Sequence, residues 1–301
     1  MSQYYSHGKL LLFGEYLVLY GAKALALPCK YGQSLEVEQT LGEGILSWKA
    51  FKINEKSWFT CKIDLKSDLI LESSDPSKSE RLLGLFRAAK SLGASFCNQS
   101  NYHCVTRLEF PTLWGLGTSS TLVYNLSSWL KVDPYQLLSL SFGGSGYDIA
   151  CAKHSSPIYY ALDSQKKPLV SQASFAPKFS DRIFFVYLNQ KRNSQQAISE
   201  FLKETPASKE ILEDFSSMAE KACLCQTLEE FETLIEDSES KMSKILKTQT
   251  IKEKWFSNYN GSIKSLGAWG GDFILVTGED KNYFVSKGYK TILDYNQLIL
   301  G

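Results

Sequence analysis

The sequence predicts an α+β protein built as two domains, and three observations carry that prediction. Its 301 residues are enough for one large core or two of ordinary size. Strand-like and helix-like periodicities mix through both halves rather than alternating as repeated β–α units. The texture also changes at Asp163–Pro168, where the polar run Ser164-Gln-Lys-Lys interrupts two strand-like stretches. The expected domains are therefore 1–165 and 166–301.

The first forty residues read as strands broken by glycine: Leu10–Phe13, Tyr16–Tyr20 and Leu35–Glu38. A hairpin follows, with Ile45, Trp48, Phe51 and Ile53 before Asn54-Glu-Lys and Trp58, Phe59 and Ile63 after it. The polar Ser73–Ser79 leads into a helix through Leu82, Leu83, Phe86 and Ala89, which Gly93 closes. Tyr102–Phe110 alternates as a strand, and Leu122–Leu130 is an apolar run expected as a buried helix. Asp133-Pro134 opens a short helix ending near Gly143. In the second half Arg182–Leu188 is a buried strand and Ser194–Leu202 a helix, and charged helices fill about 207–247. A strand at Phe273–Thr277, a helix at Tyr283–Ser286 and a strand at Lys290–Leu293 complete the reading.

Composition narrows the function. A net charge of +1 argues against general nucleic-acid or membrane-surface binding, which carries a basic excess. Seven cysteines without regular spacing and three histidines read as reduced thiols rather than disulfides or a zinc site. Met1-Ser-Gln-Tyr-Tyr has no secretory signal pattern, and no apolar run approaches membrane-spanning length. The expectation is a soluble cytoplasmic protein, monomer or homodimer, acting on a small molecule.

The most informative stretch is Pro111-Thr-Leu-Trp-Gly-Leu-Gly-Thr-Ser-Ser-Thr121, between the Tyr102–Phe110 strand and the helix behind it. Gly115 and Gly117 let backbone N–H groups approach a ligand closely, and a helix start adds unpaired donors and the positive end of its dipole. Phosphate is the usual occupant of such a seat. The alternative is an ordinary strand-to-helix turn capped by Thr118 or Ser119.

Three further stretches are Gly8-Lys-Leu-Leu-Leu-Phe-Gly-Glu-Tyr16, Gly143-Gly-Ser-Gly-Tyr-Asp-Ile-Ala150 and Lys264-Ser-Leu-Gly-Ala-Trp-Gly-Gly-Asp-Phe273. In this order, with Pro111–Thr121, they resemble the signature segments of the GHMP kinases (galactokinase, homoserine, mevalonate and phosphomevalonate kinases), whose phosphate loop is written P-x-x-x-G-L-G-S-S-A-A. The resemblance runs from Lys9 to about Val276. It implies a two-domain α+β fold with the active site in the inter-domain cleft, a phosphate loop in the N-terminal domain, a ferredoxin-like C-terminal domain, and ATP and Mg2+ as cofactors.

Carried onto this sequence, the resemblance places the nucleotide phosphates on Trp114, Gly115, Leu116, Gly117, Thr118, Ser119 and Ser120, with the Ser119 hydroxyl helping to hold Mg2+. It makes Asp148 the carboxylate beside the acceptor and Lys9 the cation near the transferring phosphoryl group. The alternatives are a turn aspartate bound to its own backbone and a solvated strand-start lysine. Glu15, Gly146, Gly270 and Gly271, together with Lys191, Arg192 and Ser194, are the expected substrate-side residues. Ser194 is a natural N-cap and two cations precede it, the alternative being a solvated basic loop. His7, His103 and His154 read as structural.

The chain departs from the pattern at three points. Ser120 and Thr121 stand where the family has alanines, and Trp269 stands in a glycine position. If the backbone there needs φ > 0, tryptophan is strained; its indole either fills part of the cleft or packs in a core. Tyr135–Phe142 contains no acid, Asp133 being the nearest upstream, so Mg2+ is left mostly to ATP phosphates and water.

Gly14-Glu-Tyr16, Gly144-Ser-Gly-Tyr-Asp148 and Gly270-Gly-Asp272 resemble phosphomevalonate kinase more than mevalonate kinase. The expected reaction is ATP-dependent phosphorylation of a small anionic metabolite, phosphomevalonate first and mevalonate second. A kinase-like protein that binds without turnover is the rival from another class. An RNA-binding protein of similar α+β fold is disfavoured by the charge.

Overall fold

The computed structural model describes residues 1–301 except 97–98, 191–193, 205–207 and 270. Two compact units appear. The first comprises Met1–Gly8, Tyr31–Thr112 and Leu116–Lys153; the second comprises Lys9–Lys30, Leu113–Gly115 and His154–Gly301. Strands β1 (Ser2–Phe13) and β2 (Ala24–Leu41) contribute residues to both.

In the first unit β2 is followed by β3 (Ile45–Phe51), β4 (Ser57–Asp64), β5 (Leu69–Ser73), helix α1 (Pro76–Ser91) and β6 (Ser100–Leu108). Their order is β5-β4-β3-β6-β2, antiparallel except for the parallel β3–β6 pair. The β3–β4 hairpin turns where Asn54-Glu-Lys was expected, with Glu55 in the left-handed region. Asp75 caps α1 through the Lys78 N–H ahead of Pro76 at N1. Helices α2 (Thr118–Leu130), α3 (Pro134–Ser139) and α4 (Tyr147–Lys153) complete the unit. Alternate residues of β3, β4 and β6, among them Leu46, Trp48, Ile63 and Cys104, form one core with Leu82 and Phe86 of α1, Val123 and Leu126 of α2, Leu137 of α3 and Ile149 of α4.

The second unit contains β7 (Ile158–Leu162), β8 (Pro168–Gln172), β9 (Ile183–Tyr187), α5 (Ser194–Glu204), α6 (Lys209–Ala222), α7 (Leu228–Leu246), α8 (Ile251–Trp255), β10 (Ile263–Ser265), β11 (Phe273–Thr277), α9 (Lys281–Ser286), β12 (Ile292–Asp294) and α10 (Tyr295–Leu298). Residues Ala24–Ala26 of β2 pair with β7, which pairs with β8. The polar run at Asp163–Lys167 is the turn of that β7–β8 hairpin, closed by Asp163 Oδ1 accepting from the N–H groups of Gln165 and Lys167 at 2.8 Å each. The other strands form an antiparallel sheet of order β10-β11-β9-β12. With helices after β9 and between β11 and β12, this is a β-α-β-β-α-β succession. Every residue of β9 and β11 is buried, as expected of central strands covered on both faces.

Two local expectations change. Tyr16–Tyr20 is not a strand: Leu17–Tyr20 forms a 3-10 turn, entered through left-handed Tyr16 and closed by left-handed Gly21. Helix α2 begins at Thr118 rather than Leu122, so the hydroxyl run that reads as loop is its first turn. No described helix is long and apolar enough to cross a membrane.

Candidate active site

The phosphate-loop segment folds as its glycines require. Gly115 and Gly117 take φ of 69° and 97°, angles that cost a residue with a Cβ on the order of 1 kcal/mol or more. Gly117 is the N-cap of α2 and no side chain caps the helix. The first intrahelical bond runs from the Thr121 N–H to the Gly117 carbonyl at 3.0 Å, so the N–H groups of Thr118, Ser119 and Ser120 have no partner within the helix. Ser119 is exposed and Thr118 half-buried.

The two departures from the alanine pattern turn inward. The buried Ser120 Oγ donates to the Gly117 carbonyl at 2.9 Å, and the Thr121 hydroxyl lies 3.0 Å from that carbonyl and 3.1 Å from the Thr118 carbonyl. Thr121 also donates to Gln33 Oε1 at 2.7 Å. One turn on, buried Asn125 donates to the Gln33 carbonyl at 2.9 Å and accepts from the Ser6 hydroxyl at 2.5 Å. Helix α2 is thereby pinned to β1 and β2 by a buried polar network, which fixes its first turn. Gly8 fits the same arrangement: a Cβ there would stand 2.9 Å from the carbonyls of Leu116 and Tyr31.

Asp148 lies in the first turn of α4, which packs against α2. Gly143, Gly144 and Gly146 ahead of it have φ of 68°, 103° and 89°, a sharp entry that only glycine makes without strain. Asp148 is half-buried, and its Oδ1 accepts from the Ile149 N–H at 3.0 Å. Burial, with Asp133, Cys151 and Asp148 adding negative potential, pushes the Tyr135 phenol up to about 12. The first unit thus holds the glycine-capped helix start and the carboxylate on packed helices sharing one core.

The second unit holds Lys9, Trp114, Gly115, Glu15 and Gly271. The Lys9 ammonium donates to the Gly115 carbonyl at 3.0 Å. Trp114 meets the Phe273 ring edge-on at 5.4 Å, and the Tyr187 hydroxyl donates to the Leu113 carbonyl at 3.1 Å. Burial, with Asp272 adding to it, raises the Tyr187 pKa. Asp272 has φ of 54°; its N–H donates to the Gln190 carbonyl at 2.7 Å and its carbonyl accepts from Leu188 at 2.8 Å. In the same loop Gly267 is also left-handed, with φ of 63°, while Trp269 is buried.

Glu15 is 1% exposed, and its Oε1 accepts from the Lys264 ammonium at 2.5 Å. Lys264, fully buried, lies 3.4 Å from Glu239 Oε1 and 4.9 Å from the centroid of the Phe13 ring. Glu239 Oε2 accepts from the Ser265 hydroxyl at 2.9 Å. Burial opposes the Lys264 charge, but Glu15 and Glu239 outweigh it and hold its pKa above the ordinary value. Burial raises Glu239 to about 7, Lys264 pulling down and Glu15 pushing up. Glu239 thus keeps its proton up to about neutrality beside the Lys264 ammonium. In the sequence Lys264 only opens the Lys264–Phe273 stretch, and Glu239 lies in the charged helical region without a motif of its own. The signal for Glu239 is present: Leu228, Phe231, Ile235 and Met242 mark the buried stripe of α7, and Glu239 falls on it.

Lys191, Arg192 and Gly270 lie outside the described residues. Ser194 begins α5. Among the described residues no group of three or more His, Cys, Asp or Glu is arranged to hold a metal ion.

No protein-family model and no curated protein matches the sequence. Solved structures do match, and the fold they define is that of the GHMP small-molecule kinases. The Methanococcus jannaschii mevalonate kinase is 16% identical with a TM-score of 0.69, over 100% of this chain and 98% of that one. The Streptococcus pneumoniae phosphomevalonate kinase, solved with phosphomevalonate and AMPPNP, is 17% identical with a TM-score of 0.62, over 98% of this chain and 100% of that one. Lactococcus lactis galactokinase complexed with galactose is 14% identical with a TM-score of 0.64, over 99% and 93%. At these identities the likeness establishes the fold, and the chain has it over its whole length.

Proposed function

We propose that this chain is an ATP-dependent kinase of a small anionic metabolite, with phosphomevalonate as the favoured acceptor. The observation that carries the reading is the start of α2: a left-handed glycine cap, first-turn N–H groups without helical partners, and flanking hydroxyls divided between an exposed Ser119 and an inward-turned Ser120 and Thr121. Such a start is a phosphate seat, and Asp148 stands on the helix packed beside it. Phosphoryl transfer asks the protein for positioning and charge neutralisation above all. Two unit charges ~5 Å apart repel by roughly 3 kcal/mol at an effective dielectric of ~20, so ATP facing an anionic acceptor needs several cations. Lys9, Lys191 and Arg192 are the proposed protein contribution.

The exposed Ser119 hydroxyl fits Mg2+, an ion that keeps several waters and takes phosphate oxygens readily. When bound, it would shield the charge of the triphosphate. A phosphate monoester acceptor is already largely dianionic at neutral pH, its second pKa being ~6, so Asp148 acts mainly to orient and balance charge. Cys61, Cys104, Cys223 and Cys225 are thiols rather than disulfides, in keeping with a cytoplasmic setting.

The test is ADP release with mevalonate, phosphomevalonate, homoserine, galactose and fucose. Turnover highest with phosphomevalonate is the expected result. Highest turnover with mevalonate would move the assignment to the alcohol. ATP binding with no turnover on any acceptor would replace the kinase with a binding protein.

A further inference from the structure

We propose that Asp272 is a positioning residue that sets where Leu113–Gly115 lies and, through the Gly115 carbonyl, where the Lys9 ammonium reaches. Two observations converge on Gly115. On one side its carbonyl accepts from Lys9 at 3.0 Å. On the other, the space a Cβ would occupy is filled by the Asp272 carboxylate: that Cβ would stand 2.8 Å from Oδ1 and closer still to Oδ2 and Cγ. Contacts this short do not occur between real atoms, so a side chain at 115 would require the Asp272 carboxylate to move.

Asp272 is itself held firmly. Its left-handed φ of 54° is uncommon for a residue with a side chain, though aspartate and asparagine tolerate it best. Backbone hydrogen bonds to Gln190 and from Leu188 anchor it at the ends of β11 and β9. The neighbouring Phe273 meets both the Tyr187 ring, at 5.3 Å, and the Trp114 ring, and the Tyr187 hydroxyl holds the Leu113 carbonyl. The loop that leads to the phosphate seat is thus gripped at Leu113, Trp114 and Gly115 by residues at one end of the β9–β11 ladder.

The consequence for turnover rests on the proposed kinase reading; the geometry itself does not. The experiment is a double-mutant cycle of Gly115→Ala and Asp272→Gly, with Asp272→Asn as the conservative variant. Each protein is read by thermal midpoint, by ATP dissociation constant without acceptor, and by kcat and KM with the best acceptor. Gly115 has φ of 69°, so alanine carries a left-handed cost in either background, and that cost cancels in the comparison.

Gly115→Ala alone should weaken ATP by about tenfold or more, the scale on which small misplacements act. Adding Asp272→Gly should recover most of that loss and most of the lost thermal midpoint. Asp272→Asn, similar in size and tolerant of the left-handed region, should retain KM for ATP within about threefold, while Asp272→Gly raises KM more than it lowers kcat. A Gly115→Ala protein that fails to fold while the double variant folds also supports the proposal. Losses that simply multiply, or a double variant that fails to fold while Asp272→Gly folds, overturn it. If no acceptor is turned over but the cycle couples in ATP affinity and midpoint, the kinase reading fails and the positioning role stands.

Discussion

Replacing Glu239 with glutamine should make the protein less sensitive to rising pH, and the size of the effect follows from the buried cluster. In the folded state Glu239 titrates at about 7 against an ordinary 4.5. Between those values the unfolded chain has released the proton and the folded chain still holds it, so the unfolded state gains as pH rises. Stability from this group is therefore complete below about pH 4.5 and lost as pH climbs through about 7. At about 1.4 kcal/mol per pH unit, the loss is on the order of 3 kcal/mol. Glu239→Gln keeps an acceptor for Lys264 and a polar group for Ser265, and it has no proton to lose. Urea denaturation of both proteins from about pH 5 to about pH 8 should show the variant gaining on the wild type by most of that amount, with unchanged m-values. A difference in stability that is flat across the range would mean that Glu239 is ionised in the folded protein, and the reading of a protonated Glu239 beside Lys264 would be wrong.

Lys264→Met should cost about 3–5 kcal/mol, the scale of a buried pair broken from one side, and adding Glu15→Gln should restore part of it in the same denaturation assay. Thr121→Ala strips Gln33 Oε1 of its donor and should cost about 1–3 kcal/mol, whereas Ser120→Ala removes only a bond to its own helix and should cost less than about 1 kcal/mol; melting curves compare the two. Asp148→Asn should lower kcat by about tenfold or less with a phosphate acceptor. A fall within the ~10²–10⁴-fold range of a lost general base, with normal ATP affinity, would indicate an alcohol acceptor instead.

The elements with strong local signals were legible in the sequence. Asp75-Pro76 and Asp133-Pro134 start helices as cap chemistry dictates, and the alternating stretches at 45–64 and 102–108 pair as strands. The Tyr16–Tyr20 stretch misled because an apolar run of five has no period of its own; Gly14 and Gly21, both left-handed, bend it into a 3-10 turn. Helix α2 starts earlier than its apolar run because Ser120 and Thr121 satisfy themselves on its first-turn carbonyls, a choice that composition does not reveal. The glycines around Asp148 announced a tight turn, and the structure places one there. What the sequence hid were pairings distant along the chain: Gln33 with Thr121, Asp272 with Gly115, and Lys264 with both Glu15 and Glu239. No local window contains both partners of any of them.

The Glu15–Lys264 pair has a consequence for how the protein is made. Glu15 is synthesised 249 residues ahead of the lysine that neutralises it. At ~5–20 residues per second, the nascent chain carries that carboxylate without its ammonium for on the order of ten seconds or more. The second unit draws on both Lys9–Lys30 and His154–Gly301, so it closes only after translation has almost finished. A ribosome that stalls before Lys264 releases a chain whose earliest turn has no cation to fold around, and a segment begun at residue 166 meets the mirror-image problem, an ammonium without its glutamate.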